Sequence, residues 1–179
     1  MDNFENYEDF REHINSGDVV FVLGSKTEFR PIQRLIMWAT NSQYTHVGVA
    51  FWAQMDGGDT PRLMIVESQG GSTRRILNLS YYKDEDMHVV AGPLGWSEVS
   101  GTALERLGEA EYGYLDALWV GIREYIQVVS NMNLPKFNFR GETCSELVAR
   151  MFKLRQVVVS PQTLFEELGS NISKKLEHK

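Results

Sequence analysis

The chain has 179 residues and a net charge of −6, from 18 Lys and Arg against 24 Asp and Glu. Its 42% apolar and 23% charged composition excludes a disordered chain and suits a single globular domain over 1–179. No basic surplus exists to neutralise a phosphate backbone, so nucleic acid is not an expected partner, and the single cysteine, Cys144, excludes an internal disulfide or a Cys-pair zinc site.

The first residues, Met1 to Gly17, are acidic and polar and lack the apolar core of a secretory signal, which predicts a cytoplasmic protein, or one delivered to a cell wall by another route. Phe4, Tyr7, Phe10 and Ile14 recur at helical spacing and predict a short amphipathic helix, an N-terminal extension over 1–16 that packs as a lid or brace. Asp18 to Leu23 is a β-branched apolar run closed by Gly24, hence a buried strand. Arg30 to Thr40 carries Pro31 near its start and Ile32, Leu35, Ile36 and Ala39 on one face, predicting a helix. Thr45–Ala53 and Arg62–Ser68 read as the strands of a β-hairpin whose connection contains Asp56-Gly57-Gly58-Asp59.

Further strands are predicted at Thr73–Leu77 and Met87–Ala91, the second closed by Gly92 and Pro93. Helical patterns follow at Ser97–Glu111, Tyr114–Val129, Thr143–Leu154 and Pro161–Leu168, with Asn131–Gly141 irregular and 170–179 a frayed, flexible tail. Strands first and helices later predict an α+β fold with a mostly antiparallel sheet. No run is long enough to be a transmembrane segment. Lys83–Asp86 lacks the spacing and central glycine of a calcium loop, and no metal site is expected. Trp38, Trp52, Trp96 and Trp119 are read as core rather than as a stacking surface.

Chemistry concentrates around Arg140–Phe152, RGETCSELVARMF, where Gly141 breaks the chain, Thr143 caps, and Cys144 falls in the first turn of a helix. The positive end of the helix dipole there favours a thiolate. Cys144 is therefore either a nucleophile or a small buried hydrophobe. Of His13, His46, His88 and His178, His46 is the candidate base: it heads a hairpin strand beside Gly48 and Ala50, small neighbours that leave room. His88 reads as structural, and His46 itself also suits a partly buried strand histidine. Antiparallel pairing brings Glu67 within one or two positions of His46, where it orients the ring or is a strand-end charge in water. Glu142 and Glu146 flank Cys144 but are not the orienting acid.

The blocks GDVVFVLGS (17–25), YTHVGVA (44–50), VESQGG (66–71), YGYLDAL (112–118), TCSELVARMF (143–152) and SPQTLFE (160–166) together resemble the circularly permuted branch of the NlpC/P60 papain-like superfamily, in particular the YiiX/YebB-like cysteine amidases. The resemblance implies a permuted papain-like fold, a mostly antiparallel sheet or partial barrel packed against helices, with the His strand first and the Cys helix last. It implies Cys144 as nucleophile, His46 as base, Glu67 as its orienting acid, and Tyr44 as an oxyanion or substrate contact, without a cofactor. The backbone N–H of Cys144 is the expected oxyanion donor.

The activity so implied is hydrolysis of a small peptide amide, including cell-wall-derived peptidoglycan stem peptides, through an acyl-enzyme. A second reading is a lipid acyltransferase or thioesterase using the same thiol, favoured by an apolar channel to Cys144 where a short polar cleft favours the amidase. A third is a binding module that retains the fold without catalysis.

Overall fold

The computed structural model describes residues 2–23, 37, 42–54, 60–68, 74–105, 107, 143–154, 160–169 and 172–177. The strands are β1 (Asp2–Phe4), β2 (Val19–Leu23), β3 (Tyr44–Ala53), β4 (Arg62–Ser68), β5 (Arg74–Asn78), β6 (Met87–Val90) and β7 (Ile172–Leu176). The helices are α1 (Tyr7–Glu12), α2 (Trp96–Leu104), α3 (Cys144–Met151) and α4 (Pro161–Glu167), with a 3₁₀ turn at Leu79–Tyr82. Among the described residues a seven-stranded sheet runs in the order β1-β7-β6-β2-β3-β4-β5, and of its strand pairs only β1–β7 is parallel. The α+β class with a mostly antiparallel sheet is as the order of elements predicts. Among the described residues the sheet is open, with β1 and β5 at its edges, rather than a partial barrel.

Alternation along the strands divides the core into two faces. Val19, Phe21, Val47, Val49, Phe51 and Val66 form one buried cluster with Leu147, Val148 and Met151 of α3, Leu164 and Phe165 of α4, and Val99 and Ala103 of α2. Val20, Val22, Ala50, Leu63, Ile65, Met87 and Val89 form the other with Tyr7, Phe10 and Ile14, and with Leu79 and Tyr82 of the 3₁₀ turn. The first helix is thus a brace on one face of the sheet, while α3 and α4 lie against β3 on the other.

Both termini depart from the expected pattern. Asp2–Phe4 is a strand, and the helix occupies only Tyr7–Glu12, capped by the Asn6 side chain on the Asp9 N–H. The segment 170–179 is not a frayed tail over its described part, because β7 lies between β1 and β6 with Leu176 fully buried. Its polar Ile-Ser-Lys-Lys-Leu sequence carries no strand signal, but Lys174 Nζ reaches the buried Asp18 carboxylate at 2.9 Å and Ser173 Oγ donates to the Val89 carbonyl at 3.0 Å. Those partners come from distant chain, which a local pattern does not register. Deleting 170–179 is expected to destabilise the fold by about 3 kcal/mol or more, the scale of losing a buried Leu with its surroundings; an unchanged urea midpoint would contradict the pairing.

The predicted α2 region ends at Leu104 rather than Glu111, and Leu107 instead makes an isolated bridge to Arg74. The helices predicted at 30–40 and 114–129, the irregular stretch 131–141, Trp38, Trp119 and His178 lie outside the described residues. No described helix is long and apolar enough to cross a membrane.

Candidate active site

The helix that presents Cys144 begins for local reasons. Thr143 is its N-cap: its Oγ1 accepts the Glu146 N–H at 3.3 Å, and the Glu146 carboxylate accepts the Thr143 N–H at 2.8 Å. This reciprocal capping box is legible in Thr-Cys-Ser-Glu, and it gives Glu146 a structural task apart from the site. Cys144 is then the first helical residue, and its N–H is among those that a helix leaves without an internal partner. The side chain is 4% exposed and joins the apolar cluster under α3, so it is indeed a small buried group. Its thiol also lies close enough to the His46 imidazole to raise that ring's pKa.

His46 lies where β3 is irregular. Val22 pairs with His46 but Leu23 pairs with Tyr44, so Thr45 is an extra residue on β3, its hydroxyl turned to the Val22 and Leu23 carbonyls at 3.3 and 3.4 Å. Such a bulge re-aims the neighbouring side chains. His46 meets Cys144 of the α3 face together with Glu67 and Tyr82 of the opposite side. Tyr44, two residues away, packs among Phe21 and Phe165 in the buried cluster that also holds Cys144, with its hydroxyl 2.9 Å from His88 Nδ1. Burial outweighs the Gln43 side chain and pushes the phenol up to about 12.

The β3–β4 register pairs Val49 with Val66, and carried one residue further it sets Glu67 opposite Gly48, diagonal to His46. His46 Nε2 and Glu67 Oε2 are 2.8 Å apart. That bond leaves Nδ1 as the ring nitrogen for the thiol. The space predicted beside His46 is occupied, because a Cβ at Gly48 would lie 2.7 Å from the Ile65 side chain. Gly48 serves close packing of the hairpin and not access to the site.

Glu67 is fully buried and saturated with donors, which excludes the reading as a solvated strand-end charge. Arg75 Nε donates to Oε1 at 2.7 Å and the Tyr82 hydroxyl donates to Oε2 at 2.8 Å. Burial alone would raise the carboxyl, but His46, Arg75 and Tyr82 hold it below the usual range. Burial likewise disfavours a charged His46, yet the charges and hydrogen bonds of Cys144 and Glu67 outweigh it and push the ring up to about 10. The arrangement accommodates an imidazolium held against the Glu67 carboxylate. Tyr82 stacks on the ring at 5.8 Å between centroids and 29° between planes.

Sequence reading missed Arg75 and Tyr82. Arg75 is the cross-strand partner of Glu67, a signal available once β4 and β5 are paired; Tyr82 had none, since its 3₁₀ turn was not predicted. His88 is buried on β6 with Nε2 unpartnered among the described residues, and burial and Lys175 lower its pKa. His13 is an exposed C-cap residue. Among the described residues no group of three or more His, Cys, Asp or Glu side chains could hold a metal ion.

No family profile matches the chain, and no curated protein matches it. Among solved structures it is similar to the crystal structure of the metalloprotein yiiX from Escherichia coli O157:H7, with 16% sequence identity, a TM-score of 0.46, and coverage of 92% of this chain and 97% of that chain.

Proposed function

We infer that this protein is a cysteine hydrolase of amide bonds in small peptides or peptidoglycan-type stem peptides, with Cys144 as nucleophile, His46 as base and Glu67 as the acid that orients it. The observation that carries the reading is His46, bonded at Nε2 to a fully buried Glu67 and engaged by the Cys144 thiol at a helix N-terminus. The circularly permuted papain-like resemblance of the sequence blocks supports the same assignment, including the order of His strand before Cys helix.

The chemistry follows from protons and charges. The Cys144 thiolate attacks the amide carbon, the carbonyl electrons move onto oxygen, and the Cys144 N–H donates to that oxyanion. As the oxyanion collapses the C–N bond breaks, and the amine leaves with the proton that His46 held at Nδ1. A thioester and a neutral imidazole remain. Water then gives a proton to Nδ1 as its oxygen attacks the thioester, and the C–S bond breaks to return the thiolate and release a carboxylic acid. Throughout, Glu67 accepts from Nε2 and so keeps Nδ1 as the reactive nitrogen.

The test is the pH dependence of Cys144 alkylation by iodoacetamide in wild type and in His46→Ala. Alkylation in wild type should persist to lower pH than for a model thiol of pKa ~8.5, and His46→Ala should slow it near neutral pH by about tenfold or more. A slow thiol indifferent to His46 would favour the binding-module reading. With the thiol confirmed, peptide amides and fatty acyl thioesters are compared as substrates; turnover of acyl lipids alone would favour the acyltransferase or thioesterase.

A further inference from the structure

A permanent cation stands beside the Glu67 carboxylate. Arg75 sits opposite Glu67 in the β4–β5 ladder and donates from Nε to Oε1, the oxygen that neither His46 nor Tyr82 touches. Its guanidinium lies 5.5 Å over the Tyr81 ring, and Nη2 is buried without a hydrogen-bond partner among the described residues. It therefore contributes a permanent positive charge to a carboxylate with no exposure to water.

That charge matters at one stage of the cycle. While His46 is an imidazolium, Glu67 has a cationic neighbour on each side. Once His46 has given its proton to the leaving amine, only Arg75 still compensates the buried anion. Without it, the His46–Glu67 pair would recapture a proton from solvent. If the proton settled on Nδ1, or on Glu67 with Nδ1–H retained, no lone pair would face the attacking water. We propose that Arg75 is the positioning residue of this site: it keeps Glu67 ionised when His46 is neutral, and so keeps His46 competent as the base of deacylation. This rests on the cysteine-hydrolase reading. The charged and titratable groups facing the pair among the described residues are Cys144 from α3, Arg75 from β5 and Tyr82 from the 3₁₀ turn.

The test uses the full chain carrying Cys144→Ala, in which no thiolate contributes, and follows the His46 ring nitrogens and the Nε2–H proton by NMR as pH is varied. Adding Arg75→Met, or Arg75→Gln where the Met variant does not fold, should raise the His46 pKa by about one unit or more while the protected Nε2–H signal persists. Arg75→Lys should return it to the parent value. An unchanged or lowered pKa would overturn the proposal, as would a rise accompanied by loss of the Nε2–H signal, which marks a loosened site. Failure of both neutral variants to fold beside a folded Arg75→Lys would assign Arg75 a purely structural ion pair instead. A slow, indifferent Cys144 in wild type would sink the hydrolase reading without moving these values, because the thiol is absent from the measurement.

Discussion

Cys144→Ala is expected to lower turnover of any peptide amide that the wild-type protein hydrolyses by about 10⁴-fold or more, the scale seen when a nucleophile is removed. The fold should survive the change. Cys144 is small, the Thr143–Glu146 capping box that starts its helix does not use the thiol, and Leu147, Val148 and Met151 still pack under the sheet. Urea unfolding should stay within about 1 kcal/mol of wild type. Loss of the Cys144 side chain should also lower the His46 pKa from about 10, since Cys144 is one of the two groups that raise it. Turnover retained in Cys144→Ala would remove the nucleophile assignment, whereas turnover lost together with the fold would be answered by Cys144→Ser, which keeps the volume of the side chain.

Glu67→Ala is expected to be the opposite kind of variant, costing stability as well as activity. It leaves the Arg75 guanidinium, the Tyr82 hydroxyl and His46 Nε2 facing a void where each had a carboxylate oxygen within 2.7 to 2.8 Å. Removing one member of a buried charged network costs about 3–5 kcal/mol, because the remaining charge is stranded. The pH dependence has a definite sign. Glu67 is held below its ordinary pKa in the folded chain, so its contribution is complete above the unfolded value of ~4.3 and is lost as pH falls through the depressed folded value. His46 is raised, so its contribution is complete below the unfolded ~6.5 and is lost as pH rises through about 10. The gap between wild type and Glu67→Ala should therefore be widest from about pH 5 to 6.5 and should close in acid. A gap that is independent of pH, read from urea unfolding, would mean that Glu67 stabilises by packing rather than as a charged acceptor.

Much of this site is legible from short-range pattern. The hairpin strands β3 and β4, the cysteine at a capped helix start, and the nearness of Glu67 to His46 all follow from periodicity and antiparallel register, which need only neighbouring residues. Thr143 and Glu146 illustrate the same point: three positions apart, they close the helix end by themselves. The side on which Tyr44 falls is not of this kind. Strict alternation puts it with His46, and only the extra residue Thr45, accommodated by β2, turns it toward His88.

Periodicity and turn chemistry were enough to decide that this chain forms a mostly antiparallel α+β fold and to bring Glu67 near His46, while the grouping of Cys144 with that pair was implied by the resemblance of the sequence blocks. Folding decided what surrounds them. β1 and β7 exist as strands because each finds hydrogen-bond partners more than eighty residues away or at the other end of the chain, with Lys174 seated on Asp18. Arg75 and Tyr82 become partners of Glu67 because one ladder and one 3₁₀ turn converge on a single buried carboxylate. The physical reason is common to both cases: a backbone edge or a buried charge must be satisfied by whatever donor the packed chain delivers to it, and that donor's identity is a property of three-dimensional proximity, which residue spacing does not encode.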